Sequence, residues 1–410
     1  MSTNFDPDTF DPHGRDFLAN PYPFYAQFRA QAPAHRVSST VATPAGIVKL
    51  YDSTWIFRYA DVKAILDGTD LFLKNKNPPA VPPAPFDVLQ NMPDGLFSLD
   101  PPRHDVLRPI LDALIEEAIG GIEAAAAAIA GPLLGAAKTT GRLELVSAYA
   151  MPLPSHVLKT VLGVSDGDWA GVERWVGGVV AGHDYTAPLA SRAMAGTCSM
   201  AIGAFFQALT RPNCPMRPEK GRMIDLMVGK GEAQGMLHDE VQMTLLNLAV
   251  AGYLSSAFLL ATGTLNLLNN PAQLALLQSR PELMSNAIEE MLRFDAPAQL
   301  VDRFVARDTE LAGVALKAGE QVTAVLGSAN HDPDAFADPD HFDITRATAG
   351  HVGFGDGIHY CLGATLVRQV APVAFRLLLS EMPSLKLDGL PQWQTDPYLR
   401  SVANLPVAIN

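Results

Sequence analysis

The spacing of apolar residues predicts a chain that is helical through its centre. From about Arg108 to Glu290 almost every segment shows the helical period. Glycine, proline and polar residues predict breaks in this pattern around 131–132, 164–167, 211–218 and 230–235. The segment that begins at Ala60 is also predicted to be helical.

Short β segments are predicted towards both ends of the chain. Residues 46–59 are rich in β-branched and aromatic side chains, which predicts a hairpin. Residues 310–327 predict strands joined by a Lys-Ala-Gly turn, and the six prolines within 78–97 predict a loop. No Gly/Ser-rich or charged linker interrupts the chain. The expected fold class is therefore mainly α with small β-sheets, in one domain that spans residues 1–410.

A long uncharged run lies near the middle of the chain. The 39 residues from Val241 to Ser279 contain no Asp, Glu, Lys or Arg, and the run is long enough to cross a bilayer. The alternative is a helix that is buried on all sides in a large protein. Polar residues such as Asn247 and Thr262 interrupt the run, and no Lys/Arg cluster flanks it. We interpret it as a buried core helix and expect no membrane attachment.

Composition and charge exclude several classes of protein. Hydrophobic residues make up 48% of the chain, which excludes intrinsic disorder. The 30 basic and 43 acidic residues give a net charge of −13, which argues against nucleic acid as a partner. The N-terminus shows no apolar core of signal-peptide length. Three scattered cysteines give neither a disulfide framework nor a four-ligand zinc site. We therefore expect a reducing compartment and a cytoplasmic protein.

The densest chemical signal is the segment Gly353-Phe-Gly-Asp-Gly-Ile-His-Tyr-Cys-Leu-Gly363. Its first three glycines predict a tight turn with exposed backbone. Cys361 then stands at the start of an apolar helical stretch, where the helix N-terminus and nearby cations favour a thiolate. A single thiolate suffices as an axial ligand of haem iron. A dinucleotide-binding loop would need a third glycine where Ile358 and Tyr360 stand.

This segment resembles the haem-binding loop of the cytochrome P450 family, Phe-Gly-x-Gly-x-His/Arg-x-Cys-x-Gly. The matching residues are Phe354, Gly355, Gly357, His359, Cys361 and Gly363. The resemblance implies the cytochrome P450 fold, with haem b held between a long central helix and the loop. It also implies that Cys361 is the metal ligand.

Further segments resemble the family in the expected order. Glu290-Met-Leu-Arg293 is similar to its Glu-x-x-Arg pair, which has a structural role. Asp100-Pro-Pro-Arg-His-Asp-Val-Leu-Arg108 is similar to its Asp-Pro-Pro-x-His-x-x-x-Arg segment. The resemblance implies that four hydrogen-bond-donating side chains contact the haem propionates: His104, Arg108, Arg303 and His359.

The chain departs from the family pattern at one place. The uncharged run resembles the helix above the haem, which in this family carries Ala/Gly-Gly-x-Asp/Glu-Thr. Here the sequence is Ala251-Gly252-Tyr253-Leu254-Ser255, so that leucine replaces the acid and serine replaces the threonine. Ala251, Gly252, Leu254 and Ser255 are our catalytic candidates, although a leucine cannot relay a proton.

Two interpretations of this departure stay open. Ser255 with ordered water, or with help from Tyr253, delivers protons in an ordinary monooxygenase. Alternatively, the enzyme needs no strong relay because it uses peroxide, draws on a polar group of its substrate, or catalyses coupling, desaturation or rearrangement. A haem protein without catalytic activity, such as a sensor, is a third hypothesis.

The resemblance also places the walls of a substrate pocket. Most of these residues are apolar, which predicts a small hydrophobic substrate and little recognition of charge. The candidates are Phe86, Val88, Leu89, Met92, Leu96, Phe97, Val250, Ala251, Leu254, Ser255, Leu300 and Val301. A mobile lid is expected around 168–190, with Trp169, Trp175 and Tyr185.

Electrons are expected to come from a separate protein. The chain continues for about 50 residues after Cys361, from which we expect no fused reductase domain. The resemblance therefore implies a ferredoxin and a ferredoxin reductase as partners, with dioxygen as co-substrate and a monomeric enzyme. A basic patch of Arg103, Arg108, Arg368 and Arg376 would attract an acidic ferredoxin. Alternatively, Arg376 simply lies on a solvated helix face.

Overall fold

Helices form most of the protein, as predicted. The computed structural model describes residues 6–43, 46–74, 95–183, 189–211, 214, 216 and 218–409. Within these residues there are fifteen α-helices: α1 (Arg15–Ala19), α2 (Tyr22–Gln31), α3 (Tyr59–Asp67), α4 (Arg103–Ala118), α5 (Ile122–Thr140), α6 (Pro152–Leu162), α7 (Asp166–His183), α8 (Leu189–Thr210), α9 (Met223–Leu226), α10 (His238–Asn247), α11 (Tyr253–Asn269), α12 (Pro271–Ser279), α13 (Met284–Phe294), α14 (Leu326–Ala329) and α15 (Ala364–Glu381).

The strands of the described residues form four small sheets. Their bounds are β1 (Ala34–Thr43), β2 (Gly46–Ile56), β3 (Phe72–Leu73), β4 (Arg142–Glu144), β5 (Leu300–Val305), β6 (Thr309–Leu311), β7 (Val314–Leu316), β8 (Gln321–Val325), β9 (Lys386–Leu387), β10 (Gln392–Trp393), β11 (Val402–Asn404) and β12 (Pro406–Ala408). The largest sheet has the order β1-β2-β8-β5-β3, and its β2–β8 pair is parallel. The others are β4-β12-β9, β10-β11 and β6-β7.

The hairpin predicted within 46–59 is wrong in its extent. Gly46–Ile56 is one continuous strand, and its antiparallel partner is Ala34–Thr43. The polar residues in its middle do not form a turn because they have partners on neighbouring strands. Asp52 pairs with Arg36 at 2.7 Å, and the Ser53 hydroxyl lies 2.6 Å from that of Thr323.

The break predicted at 131–132 is also wrong, since α5 continues through it. Gly131 and Pro132 are exposed, and the carbonyl that the proline leaves without a donor belongs to the exposed Ala128. Water can satisfy this carbonyl, which reduces the cost of a proline inside the helix. The breaks near 164–167 and 230–235 are confirmed, and left-handed Gly163 and Gly235 mark them. The break at 211–218 lies partly outside the described residues.

The segment 310–327 contains one more turn than predicted. β6 and β7 form their own hairpin around Ala312 and Gly313, both with positive φ. The predicted turn at Lys317–Gly319 then leads to β8, which belongs to the large sheet and not to this hairpin.

The uncharged run forms a long helix followed by a short one. His238–Asn269 is continuous over 32 residues and includes a π-helical turn at Leu248–Gly252. Asn270 and Pro271 end this helix and start α12. By length and composition His238–Asn269 could cross a membrane, as could the bent pair of α4 and α5 if it formed one span. All residues from Ala257 to Leu267 are buried in the protein, which is typical of a core helix.

Candidate active site

The loop before Cys361 is a tight turn that only glycine can form at two of its positions. Gly355 and Gly357 have φ of 72° and 65°, in the left-handed region. A side chain on Gly357 would also meet the Leu66 carbonyl oxygen, 2.5 Å from an added Cβ. The amide of Cys361 donates to the Phe354 carbonyl oxygen at 2.9 Å, which closes the loop directly before α15. The thiol is thereby held at the N-terminal end of this helix.

Two opposing influences act on the Cys361 thiol. Burial raises its pKa, whereas hydrogen bonds from the Gly363 and Ala364 amides and the charges of Arg108 and Arg368 oppose the rise. The amides and arginines act in the direction that the sequence predicted, but burial outweighs them. A bound metal cation deprotonates a coordinating thiol. The donor set therefore fits a thiolate that ligates a metal.

Arg108 contacts the backbone of the cysteine loop. Its Nη1 donates to the carbonyl oxygens of Ile358 and Tyr360 at 3.1 and 2.6 Å, and its Nε donates to Asp112 at 2.9 Å. The guanidinium thus stabilises the turn before Cys361. A contact between Arg108 and a haem propionate stays a prediction.

The other three residues predicted to contact propionates lie together. His104 is 1% exposed, and neither of its ring nitrogens has a hydrogen-bond partner among the described residues. Its ring lies 4.7 Å from that of His359, whose Nε2 is 3.9 Å from Asp100. Burial and the charge of Arg303 lower the pKa of His359 to about 4, although Asp100 opposes the shift.

Arg303 adds a buried permanent charge to this cluster. It is 2% exposed, and burial lowers its pKa to about 10 although Asp100 and Asp302 counteract the effect. A buried guanidinium and an unpartnered imidazole are costly unless an anion joins them. His104, His359 and Arg303 therefore fit the carboxylates of a haem.

Glu290 and Arg293 form a fully buried ion pair on α13. Both side chains are 0% exposed, and the guanidinium donates to the carboxylate at 2.7 and 2.9 Å. Arg293 also donates to the carbonyl oxygens of Asn330 and Pro339, and Glu290 accepts from the Asp343 amide. The pair therefore fixes α13 to the segment before the cysteine loop, in accord with a structural role.

The catalytic candidates lie at the end of the π-helical turn and at the start of α11, which follows it. Ser255 donates its hydroxyl hydrogen to the Ala251 carbonyl oxygen at 2.7 Å, and Gly252 packs against Leu158. Ala251 is exposed, whereas Leu254 is 4% exposed. Ala251 and Ser255 are four residues apart and share one face of the helix.

Tyr253 lies on a different face of this helix. Burial and the charge of Glu173 raise the pKa of its phenol to about 12, although the hydroxyl of Ser155 on α6 opposes the rise. Ser155 donates to Glu173 at 2.5 Å and accepts from Trp169 at 2.8 Å. The phenol is therefore engaged with α6 and α7 and does not join the face of Ala251 and Ser255.

Comparison with known proteins identifies the family. The family model for cytochrome P450 matches residues 218–382. The chain is 34% identical over 420 residues to the cytochrome P450 monooxygenase PikC of Streptomyces venezuelae, with 96% of this chain and 92% of that protein covered. The chain belongs to the cytochrome P450 family.

Solved structures agree with this assignment. A myxobacterial cytochrome P450 in complex with myristic acid is 31% identical, with a TM-score of 0.85 and coverage of 99% of this chain and 100% of that one. P450BioI in complex with an acyl carrier protein that carries hexadec-9Z-enoic acid is 28% identical, with a TM-score of 0.84 and coverage of 96% and 99%. The predicted cytochrome P450 fold is confirmed. This P450 is an oxidoreductase of the monooxygenase type, and its family implies a haem cofactor.

The predicted pocket residues of this P450 lie in several places. Phe86, Val88, Leu89, Met92 and Tyr185 are outside the described residues. Among the others, Leu96 is buried in the main core, Phe97 is exposed and Val250 is half-buried. Leu300 packs in a separate aromatic cluster with Trp55 and Phe57, and Val301 packs against the core on the other side of the sheet. Trp169 is buried within the expected lid, and Trp175 is half-buried.

The sequence did not point to the connection between β10 and β11. Its residues Gln394, Thr395, Asp396 and Leu399 line a small cavity together with Leu254, Phe258 and Val180. About 140 residues separate Leu254 from Asp396 along the chain. No local pattern indicates this contact, because it depends on how the C-terminal sheet packs over the long helix.

Carboxylates neutralise most of the predicted basic patch. Arg103 pairs with Glu240 at 2.5 Å, Arg108 with Asp112 at 2.9 Å, and Arg368 with Glu289 at 2.7 Å. Arg376 is exposed and has no ion pair with the described residues. The positive potential of this face is therefore smaller than its four arginines suggested.

Proposed function

We propose that this P450 inserts oxygen into a small hydrophobic substrate, with iron protoporphyrin IX (haem b) ligated by Cys361. The observation that carries the proposal is the pairing of two features: a cysteine loop at a helix N-terminus, and a cluster of His104, His359 and Arg303 in which the buried His104 ring nitrogens have no hydrogen-bond partner among the described residues. A haem supplies both missing partners, because it brings a cationic metal and two carboxylates.

Each part of the site has a distinct task in this proposal. A bound haem would supply the activation of dioxygen, and the Cys361 thiolate would donate electron density to it. The Gly363 and Ala364 amides hold the Cys361 sulfur in position, and His104, His359 and Arg303 hold the propionates. The long helix His238–Asn269 is called the distal helix below, and the side of the haem that it would cover is called the distal face. Ala251 leaves space on this face, and the Ser255 hydroxyl holds a proton beside it. Leu254, Phe258 and Leu399 exclude bulk water from that side.

The thiolate proposal is tested by the absorption of the reduced, CO-bound protein. A band near about 450 nm is expected if Cys361 ligates the iron as a thiolate. A band near about 420 nm in folded protein would contradict it. Cys198→Ser is the matched control, because this buried cysteine lies outside the loop and its substitution should leave the band unchanged.

A second candidate function is oxidation without oxygen insertion, or turnover of peroxide. The buried Leu254 favours it, since this position carries an acid in the family pattern. Incorporation of labelled oxygen from dioxygen into the product supports the monooxygenase, whereas oxidised product without label supports coupling, desaturation or rearrangement. The absence of reductant and oxygen consumption with every tested compound would favour a sensor.

The substrate class follows from the apolar residues around the distal helix. One solved relative binds myristic acid and another is in complex with an acyl carrier protein that carries a fatty acid. Fatty acids, free or carried, are therefore the first compounds to test for a spin-state shift of the Soret band. A complete lack of shift with apolar ligands, together with a shift with polar ones, would contradict the proposed hydrophobic pocket.

We further propose a ferredoxin and its reductase as electron donors to a monomeric, cytoplasmic enzyme. Since Arg376 is the arginine of the patch without a described ion pair, it is the best test of docking. Arg376→Glu should raise the KM for a plant-type ferredoxin several-fold and leave binding of myristic acid unchanged. An unchanged KM would exclude this face as an electrostatic docking site.

A further inference from the structure

The distal side of this P450 lacks the acid of the family pattern but has another acid close by. Leu254 occupies the position of the acid, and its side chain lines a cavity of about 10 Å³. Asp396 lines the same cavity and is its only ionisable residue among those described. The volume suits a single water molecule, and Gln394 and Thr395 add polar groups to its wall.

Asp396 has a defined place between two cavities. It is 9% exposed, and its Oδ1 accepts a hydrogen bond from the Tyr398 amide at 2.8 Å, which fixes the side chain. A second cavity of about 10 Å³ lies on the other side of the same connection, against α1 and α2. Gln394, Asp396 and Leu399 line both cavities. Asp396 thus stands between a cavity beside the N-terminal helices and a cavity beside the long helix His238–Asn269.

We propose that Asp396 holds a water molecule beside Leu254 and supplies the protons that an acid at position 254 would otherwise deliver. This inference rests on the proposed monooxygenase function. Insertion of one oxygen atom consumes two protons and two electrons per dioxygen, and the ferredoxin provides the electrons. Each proton that leaves the Asp396 carboxyl for the water is replaced through the second cavity, so Asp396 ends each cycle unchanged.

The charged and titratable neighbours of Asp396 are compatible with this task. Arg400 and Tyr25 face it from the second cavity. The Arg400 guanidinium donates to Asp295 at 2.5 Å and stacks over Trp393 at 3.9 Å, so that its charge is already paired. Burial raises the pKa of Tyr25 far above neutral pH, which keeps its phenol protonated. On the side of the distal helix the neighbours Val180, Leu254, Phe258 and Leu399 are apolar.

The decisive variant is Asp396→Asn in the holoenzyme. Asparagine keeps the Oδ1 acceptor for the Tyr398 amide but cannot donate the proton of a carboxylic acid. Oxygen consumption with a saturating plant-type ferredoxin system, with and without myristic acid, should fall about 10-fold or more, and its solvent isotope effect should rise. Asp388→Asn is the control, because this exposed residue gives the same change in net charge and should have no effect.

Rescue separates proton supply from a structural role. In the Asp396→Asn background, Leu254→Asp restores the acid at the family position and should return oxygen consumption to within about 3-fold of the wild type. Should this double variant fail to fold, Asp396→Glu decides, because it retains the acid on the same connection. A slow Asp396→Asn enzyme that neither substitution rescues would overturn the proposal, and so would an unimpaired Asp396→Asn enzyme.

A crystal structure gives a readout independent of turnover. Holoenzyme crystals should show a water molecule hydrogen-bonded to Asp396 between its carboxylate and Leu254, and Asp396→Leu should lack it. A dry cavity in the wild type would overturn the inference. Loss of the CO band near about 450 nm would instead indicate failure of the proposed function, which keeps the two outcomes distinct.

Discussion

His104 is a residue whose burial costs stability in the protein alone. Its ring is almost fully covered, and a carboxylate oxygen of Asp105 lies 3.5 Å from Nδ1, beyond a good hydrogen bond. A buried polar group without a partner costs about 1–3 kcal/mol. We expect a hydrogen bond between His104 and a haem carboxylate to offset this cost.

His104→Phe therefore separates haem binding from folding. The haem-free variant should unfold at the same temperature as the wild type or a higher one, whereas haem loss to apomyoglobin should become about 10-fold faster. Differential scanning calorimetry and the transfer rate measure the two effects. A variant that unfolds earlier and retains haem as well as the wild type would show that His104 has a structural role only. His156→Phe, at a half-exposed site, is the control.

Gly357 is a residue whose backbone and surroundings both exclude a side chain. Alanine there would have to adopt a φ of 65° and place its Cβ 2.5 Å from the Leu66 carbonyl oxygen. Gly357→Ala should lower the free energy of unfolding by about 2 kcal/mol or more and convert part of the CO band to the shorter wavelength. Gly177→Ala is the control, because no atom lies within 4 Å of an added Cβ. Equal behaviour of the two variants would contradict the argument.

At the scale of elements, Glu289 joins α13 to α15 and to the segment before the cysteine loop. Its carboxylate accepts from Arg368 at 2.7 and 2.9 Å and from His351 at 2.9 Å. Burial raises the pKa of Glu289, but the hydrogen bonds from Arg368 and His351 outweigh it and lower the pKa to about 2. The two helices are thus fixed to each other by a charged contact beside the site.

This contact should make stability depend on pH between about 4.5 and 2. Because the pKa is lower in the folded protein, the stabilisation is fully present above the unfolded value and is lost as the pH falls through the folded value. Glu289→Gln should cost about 1–2 kcal/mol at pH 7, and the difference from the wild type should vanish near pH 2. Urea unfolding at several pH values measures it. A difference that persists unchanged at pH 2 would exclude the carboxylate as its source.

Elements with local signals could be predicted from the sequence, whereas those that depend on distant contacts could not. The turn before Cys361 needs glycines at fixed positions, so its sequence alone indicated it. Pro132 was misinterpreted as a helix end because its tolerance depends on the exposure of Ala128, which the local pattern does not show. The sequence did not indicate Asp396, because this residue lies in a connection between two strands near the C-terminus. Only the folded structure shows that Asp396 and Leu254 line the same cavity.

At the scale of the whole molecule, one arginine joins both ends of the chain. Arg400 donates to the Leu18 and Ala19 carbonyl oxygens near the N-terminus and to Asp295 after α13. Tyr22 donates to the same carboxylate at 2.6 Å. The N-terminal helices, the C-terminal sheet and α13 therefore share one buried polar network.

Loss of the Arg400 guanidinium should weaken the buried polar network that joins the two ends of the chain. Arg400→Met keeps the length of the side chain but leaves Asp295 and two carbonyl groups without its hydrogen bonds, at a cost of about 3–5 kcal/mol. Proteolysis should then begin within the first 30 residues, and mass spectrometry of early fragments detects it. Arg376→Met, at an exposed position, should be cleaved as slowly as the wild type. Early cleavage elsewhere in the Arg400 variant would refute this assignment.

The π-helical turn at Leu248–Gly252 rotates all later side chains of the long helix about the helix axis. It takes in one residue more than an α-helical turn, which corresponds to about 100° of rotation about the axis. The half before it packs against α8, and the half after it packs against α6, α13 and α15. The direction in which Ser255 points around the helix axis therefore depends on the number of residues in the π-helical turn. Deleting one residue of this turn would swing the hydroxyl away from its present direction without altering a single side chain downstream.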